Sequence, residues 1–294
     1  MKKMILTIVS IMLLTSFLFG CSAKQETPPP DSVPPDGVPV EETGSPIVYS
    51  KIGNIFAIAN GSGNRLITFT PIENVTSIEG IDSAIGADNQ YLSLEFVKKQ
   101  AKSDLDTGRV IAANFDNMEG YVYNILEKPA VPNQTYFLSN KEVISEKSLL
   151  SSSMEAPIAL STNELKTISD AKGRPAKAGW TMADYGDGIQ FQIAVFEPQG
   201  QNYLMSMVLK TKEGNLKFMD YPAVSDGSSV WRVDDGGTID PSLFSIRFAS
   251  MTDQGFLTIV SWAGAEGENT LFLLEKSDGL QEQPATAYRY WSPA

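Results

Sequence analysis

Short apolar runs separated by turn-forming residues begin at Ile47 and continue almost to the end of the 294-residue chain. The first three are the runs 47–50, 54–58 and 65–69, and a Gly-Ser-Gly-Asn link separates the second from the third. In the run 92–97, apolar and polar side chains partly alternate, which is the period-two pattern of a half-buried strand. Runs of this length between such links predict β-strands joined by tight turns.

Further strands are predicted by the same pattern along the rest of the chain, at 109–115, 120–126, 134–138, 188–196, 203–209, 216–219, 244–248, 256–262 and 270–274. Glu213-Gly214-Asn215 predicts a hairpin turn between two of them. Antiparallel strands with short connections need no crossover helices. We therefore predict a mainly β domain of antiparallel sheets, sandwich or barrel-like, with one or two helices. The alternative is a β-propeller of five or six blades at about 40–45 residues per blade, although no such repeat is visible.

One helix is predicted after Ser161. Ser161 and Glu164 have the spacing of a capping box, in which each residue satisfies a free backbone N–H of the other. Leu165 and Ile168 then fall on one helical face, and Gly173 is placed to end the helix.

The N-terminus predicts export. Lys2 and Lys3 are followed by the mainly apolar stretch Met4–Phe19 and by Gly20. A basic start, a short apolar stretch and a small residue before the cut are the parts of a secretory signal. The apolar stretch is short for a transmembrane anchor, which needs about 20 residues.

The tetrapeptide Leu18-Phe19-Gly20-Cys21 resembles the lipobox of bacterial lipoproteins. The resemblance implies that residues 1–20 are a signal peptide and that Cys21 is acylated and becomes the first mature residue. A diacylated cysteine anchors a protein stably, whereas one acyl chain does so only marginally. The expected location is therefore the cell membrane, with the chain lipid-anchored on the extracytoplasmic side.

A linker is predicted between this anchor and the folded domain. Residues 21–46 contain the acylated cysteine and a segment rich in proline and acidic residues, a composition that favours an extended, semi-rigid spacer. The β-rich domain then covers 47–294. The Ser-rich stretch near its middle suggests two halves, 47–155 and 156–294, as the alternative to a single domain.

Composition excludes several functions. Without Lys2 and Lys3, 21 basic residues face 35 acidic ones, a formal net charge of −14. Such a surface repels phosphate backbones, so nucleic acid is excluded as a partner. The chain has no histidine, and Cys21 is its only cysteine. Triads that use histidine and zinc sites built on imidazole are therefore excluded, and no cofactor is expected.

The loop between two strongly apolar strands, 262–269, is the most site-like segment. Its candidate ligand-binding residues are an indole, two carboxylates and an amide, from Trp262, Glu266, Glu268 and Asn269. Carboxylate and amide oxygens suit a hard cation such as Ca²⁺, and the indole suits a sugar. The identity of any metal is left open. The alternative is a hairpin loop with solvated acids, in which glycines supply the turn conformations.

Three other loops rich in Asp and Gly, 104–108, 184–188 and 234–237, lack the EF-hand spacing and are interpreted as turns. No residue is assigned a catalytic role. The expected function is therefore a non-enzymatic envelope domain that binds a ligand or a partner, such as an envelope protein or a glycan. The alternative is an envelope hydrolase acting on glycans with two carboxylates about 5–10 Å apart.

Overall fold

The structure is a computed structural model and describes residues 46–71, 77–225, 239–264 and 266–291. These residues form fifteen β-strands and one α-helix, and every pair of neighbouring strands among them is antiparallel. The predicted class, mainly β with antiparallel sheets and few helices, is confirmed. The sheets are a closed barrel and two open sheets of five and four strands, so the described residues do not form the blades of a propeller.

The first six strands close into a barrel with the order β1-β2-β5-β4-β3-β6. Their bounds are β1 Ile55–Ala59, β2 Arg65–Thr68, β3 Ser83–Ile85, β4 Tyr91–Gln100, β5 Gly120–Ile125 and β6 Thr135–Ser139. Strand β6 pairs with both β1 and β3, which completes the ring. Side chains fill its interior, where small alanines on β1 and β3 pack with the rings of Tyr123 and Tyr136.

Five later strands form a sheet with the order β11-β10-β9-β8-β7. Their bounds are β7 Ile158–Ala159, β8 Ala176–Asp184, β9 Gln190–Phe196, β10 Asn202–Lys210 and β11 Leu216–Val224. The predicted turn at 213–215 is confirmed between β10 and β11. There, Gly214 has a φ of 81°, and Thr211 and Asn215 are joined by a backbone hydrogen bond of 2.8 Å.

The last four strands form a sheet in sequence order, β12 Phe244–Thr252, β13 Gly255–Ala263, β14 Gly267–Lys276 and β15 Gly279–Tyr290. One face of this sheet packs on the five-stranded sheet, through a core that includes Phe191, Met207 and Val260. The opposite face packs on the outside of the barrel, where Phe272 and Phe137 meet edge-on at 5.4 Å. The four-stranded sheet is therefore the middle layer of the fold.

The predicted helix is confirmed as α1, Thr162–Lys172. The Ser161 side chain accepts a hydrogen bond from the Glu164 backbone N–H, the reciprocal bond is present, and Gly173 ends the helix in the left-handed conformation at φ 68°. Ile168 is the buried residue of the helix and packs with Phe196 and Val208. The helix thus covers the outer face of the five-stranded sheet.

Two predicted strands are wrong. Residues 47–50 provide one bridge, from Ile47 to Thr252, and then enter a 3-10 helix at Tyr49–Lys51. Residues 109–115 lead into a 3-10 helix at Ala112–Asn117. Apolar side chains of this second segment cover the outside of the barrel beside Val122. This contact buries apolar side chains without strand pairing. The apolar residues of the segment therefore did not indicate a strand.

The described residues belong to one compact unit. The barrel strands lie within 55–139, and the strands of the two open sheets lie within 158–290. The suggested boundary near 155 falls between these two groups of strands, and the division of the domain into two halves stays a prediction. In the part of the chain that the structure describes, no helix is both long and apolar enough to cross a membrane.

Candidate functional site

The predicted ligand loop, 262–269, is the hairpin between β13 and β14. Trp262 pairs across the hairpin with Asn269, and Gly264 donates a backbone hydrogen bond of 2.7 Å to Gly267. Glu266 is exposed at the tip. Residue 265 lies outside the described residues.

The structure places the predicted residues of this loop on two faces of the sheet. Trp262 is only 2% exposed and packs in the core between the two open sheets. Because successive side chains of a strand point to opposite faces, Glu268 faces the other way from Asn269 and Trp262. Glu268 contacts Arg247 at 2.8 Å. Among the described residues, no group of three or more metal-ligating side chains is found. Ligand binding by this loop stays a prediction.

Glu268 belongs to a buried charged cluster that the sequence did not suggest, together with Arg247 and Arg289. Arg247 donates from Nε to Ser261 at 2.9 Å and from Nη2 to Glu268 at 2.8 Å. Arg289 pairs across the strands with Glu268, and its Nη1 donates to the Asn133 carbonyl at 2.6 Å. Burial lowers the pKa of Arg289, with the Glu268 carboxylate opposing this effect and Arg247 adding to it.

The cluster joins two layers of the fold. The bond to Asn133 connects β15 to the residues just before barrel strand β6. Both arginines are at most 4% exposed, so Glu268 is the nearby counter-charge that their burial requires. In the described structure Glu268 therefore balances the charge of the two buried arginines, and Arg289 makes the contact with the barrel.

The interpretation of two loops rich in Asp and Gly as turns is consistent with the hydrogen bonds in them. Asp106 accepts bonds from Asn114 at 2.6 Å and from the backbone of Gly108 at 3.0 Å, and these bonds, led by that from Asn114, lower its pKa. Asp184 accepts from Gln190 at 2.8 Å and from Gly186 at 2.9 Å, again with a lowered pKa. Both carboxylates thus have partners within the chain. The third loop, 234–237, lies outside the described residues.

A cavity of about 740 Å³ lies where the barrel, the five-stranded sheet and the four-stranded sheet meet. Four segments that are distant in sequence line it: the turn at 87–89 with Gln134 beside it, the irregular segment 150–157, the end of β8 with Tyr185, and the start of β12. Each segment comes from a different part of the fold, so the cavity exists only when the layers are packed together.

The barrel wall of the cavity has an unusual backbone. Asp88 and Asn89 have φ angles of 55° and 56°, in the left-handed region that only a few per cent of non-glycine residues adopt. The Asn89 side chain donates a hydrogen bond of 2.8 Å to the carbonyl of Leu150. This bond fixes the turn against the segment 150–157 and so holds two walls of the cavity at a set distance.

The cavity walls combine apolar and acidic groups. Large apolar side chains come from Leu150, Met154, Met182, Phe244 and Ile246. The charged residues of the described lining are Asp88 and Glu155, both exposed, and no basic residue is among them.

Tyr185 also lines the cavity, and its ring packs against Phe256 at 5.7 Å. Burial raises the pKa of Tyr185, and the Thr258 hydroxyl offsets this by a smaller amount. The hydroxyl therefore stays protonated at neutral pH.

Sequence reasoning missed this cavity for a physical reason. Its lining residues are ordinary strand and loop residues, and only the packing of three sheets brings them together. The pair Asp88-Asn89 was the one local signal, because Asn and Asp are the non-glycine residues that most readily adopt left-handed conformations. Cys21 lies outside the described residues.

Comparison with known proteins gives no relative from which a function could be transferred. No protein-family model matches the chain, and neither a curated protein nor a solved structure is significantly similar to it. The cavity and the surfaces around it therefore carry the functional interpretation.

Proposed function

We propose that the chain is a lipid-anchored envelope protein whose domain binds a ligand without chemical conversion. The observation that carries this proposal is the cavity of about 740 Å³ between the three sheets. Ligand sites are typically concave, mostly apolar clefts of about 300–1,000 Å³ with a few placed polar groups. The volume of this cavity lies within that range, and its lining combines large apolar side chains with two acidic ones.

The lining defines the class of ligand. Leu150, Phe244 and Ile246 favour an apolar portion, while Asp88 and Glu155 favour a neutral or cationic polar group. The formal net charge of −12 for the whole chain adds to the repulsion of anions. The ligand is thus an amphiphilic organic molecule or chain segment that is neutral or positively charged.

Dye binding tests the cavity. Nile red, a neutral apolar dye, should bind the domain with a rise in fluorescence, and an anionic naphthalene sulfonate dye should bind more weakly. Ala156→Trp places a large ring at the cavity wall and should abolish Nile red binding. Ala101→Trp, at an exposed position that does not line the cavity, is the matched control. Equal dye binding by both variants, at unchanged melting temperatures, would contradict the proposal.

The location has its own test. If Cys21 is acylated, Cys21→Ser should release the protein from membranes or leave the signal uncleaved. Mass spectrometry of the mature N-terminus should find a lipid-modified cysteine. An unmodified cysteine at that position would contradict the proposal of lipid anchoring. The proposal that the cavity binds a ligand would be unaffected.

A glycan hydrolase is the second candidate, because two carboxylates, Asp88 and Glu155, line the same cavity. Glycosidases use such a pair, one residue acting as acid and the other as nucleophile or base. Their acid is typically enclosed in apolar surroundings, whereas both side chains here are exposed. Release of reducing sugars from purified cell-wall glycan, lost in both Asp88→Asn and Glu155→Gln, would favour this candidate over simple binding.

A further inference from the structure

Strand β12 is an edge strand, and half of its outer edge is already paired with other parts of the chain. Leu150 donates a backbone hydrogen bond of 2.8 Å to Ala249, next to the antiparallel bridge between Leu149 and Ser250. Further along the edge, Ile47 donates to the Met251 carbonyl at 3.1 Å. The edge thus accepts extended segments from outside its own sheet.

The other half of the same edge faces the cavity. Phe244, Ser245 and Ile246 of β12 line it. Among the described residues, no backbone hydrogen bond joins Ser245 or Ile246 to a segment on that side. An unpaired strand edge presents a row of N–H and C=O groups that can pair with another chain.

The opposite wall is also strand backbone. The short strand β7 pairs with β8 only at Trp180 and Thr181, and Ser153 donates to the Asp184 carbonyl at 2.8 Å. Met182 and Ala183, between these points, line the cavity. The cavity is therefore a slot between two sheet edges, and the segment 150–157 closes one side of it.

We propose that the cavity holds an extended peptide segment that pairs with the outer edge of β12 along Phe244–Ile246 and carries a basic side chain beside Asp88 and Glu155. Peptide addition to a free sheet edge takes its affinity from main-chain hydrogen bonds and its specificity from pockets for alternate side chains. Phe244 and Met182 provide apolar surface for such side chains, and the two acids complement a lysine or arginine. This inference rests on the proposed binding function and adds the chemical class of the ligand.

The test uses three synthetic peptides, each carrying a fluorophore for anisotropy. The first is the capped pentapeptide Lys-Val-Lys-Val-Lys, which should bind. The second has the same side chains with N-methyl groups on alternate amides, so one of its edges cannot donate hydrogen bonds. It should bind about tenfold more weakly, which corresponds to one or two lost hydrogen bonds. The third, Glu-Val-Glu-Val-Glu, should not bind.

Variants of the full-length protein locate the peptide. Asp88→Asn and Glu155→Gln should each weaken binding of the lysine peptide about two- to fivefold, the effect of removing one exposed charge pair. Glu95→Gln and Asp104→Asn remove exposed acids that do not line the cavity and should leave the affinity unchanged. Equal losses from the control variants would mean that only net charge attracts the peptide, and would overturn the proposed site.

Two other outcomes would also overturn the inference that the ligand is a peptide strand. Neither of them would contradict the proposed binding function. If the N-methylated peptide binds as well as its parent, the cavity recognises side chains and not a strand. If no peptide binds while Nile red does, the ligand is an amphiphile that is not a peptide. In both cases the cavity remains a binding site, whereas failure of Nile red to bind would count against the proposed function itself.

Discussion

At the scale of single residues, the buried ion pair between Glu268 and Arg247 links β14 to β12 within the four-stranded sheet. Glu268→Gln leaves two buried guanidinium groups without a counter-charge, and breaking a buried pair in this way costs about 3–5 kcal/mol. The expected result is a large drop in the urea midpoint. Glu266→Gln, two residues away and exposed, should change the free energy of unfolding by less than about 0.5 kcal/mol. Equal effects of the two variants would contradict this account.

Because Tyr123 is buried inside the barrel, we expect the fold to lose stability at alkaline pH. Burial, with a smaller contribution from Tyr121, raises the pKa of Tyr123 from 10.0 to about 12. The pKa of Tyr123 is higher in the folded chain than in the unfolded chain. Its contribution to the free energy of unfolding is therefore fully present below pH 10 and is lost as the pH rises towards 12. Two pH units correspond to about 3 kcal/mol.

Tyr123→Phe should therefore reduce the fall in the free energy of unfolding between pH 9 and pH 12. The Tyr123 hydroxyl has no hydrogen-bond partner among the described residues, so the variant should be at least as stable at pH 7. Tyr288→Phe, which changes an exposed residue, is the control for both measurements. An unchanged alkaline slope in Tyr123→Phe would show that other buried tyrosines dominate the loss.

At the scale of elements, α1 depends on its first turn. Ser161 and Glu164 exchange hydrogen bonds, with the Ser161 backbone donating to the Glu164 carboxylate at 2.8 Å. Ser161→Ala should lower the free energy of unfolding by about 1 kcal/mol. Thr162→Ala, at the next position, removes no capping bond and serves as the control. Thermal melts of both variants measure the change in stability. If Ser161→Ala leaves the melting temperature unchanged, packing of Ile168 stabilises the helix without the capping box.

Elements with strong local patterns were predictable from the sequence. The capping box of α1, the turn at Gly214 and the apolar strand β13 each carry their own signal, and the structure confirms them. Strands β8 and β15 were missed because their runs of apolar residues are short. In β15, Gly279–Tyr290, polar residues and a proline interrupt the pattern, and only pairing with β14 makes it a strand.

The candidate site could not be predicted in the same way. A cavity depends on the distance between layers, and no local pattern encodes the position of Asn89 relative to Leu150. The loop 262–269 attracted attention by composition, yet the strand period sends its Trp262 and Glu268 side chains to opposite faces. The composition of the loop therefore indicated residues that can bind a ligand, but it did not show that their side chains lie on different faces of the sheet.

At the scale of the whole molecule, the start of the folded domain can be located by truncation. Ile47 is buried and makes two backbone hydrogen bonds, donating to Met251 in β12 and accepting from Asp253 in the turn that follows it. A chain beginning at Ser45 keeps these contacts and should melt at the same temperature as one beginning at Ser22. A chain beginning at Gly53 loses them and should melt several degrees lower. Differential scanning calorimetry checks both, and a drop already at Ser45 would place the start of the domain earlier.

The same attachment of Ile47 has a mechanical consequence. The chain enters the fold at β12, in the middle layer, before it runs on to the barrel. If the preceding segment is tethered to a membrane, a pull on the domain loads the Ile47 contacts first, and the barrel carries no force until they break. Because Ile47 runs parallel to its partner Thr252, the two chains would be sheared past each other. The last residues of β12, at the end away from the slot between the sheets, would be the first part of the molecule to sense tension.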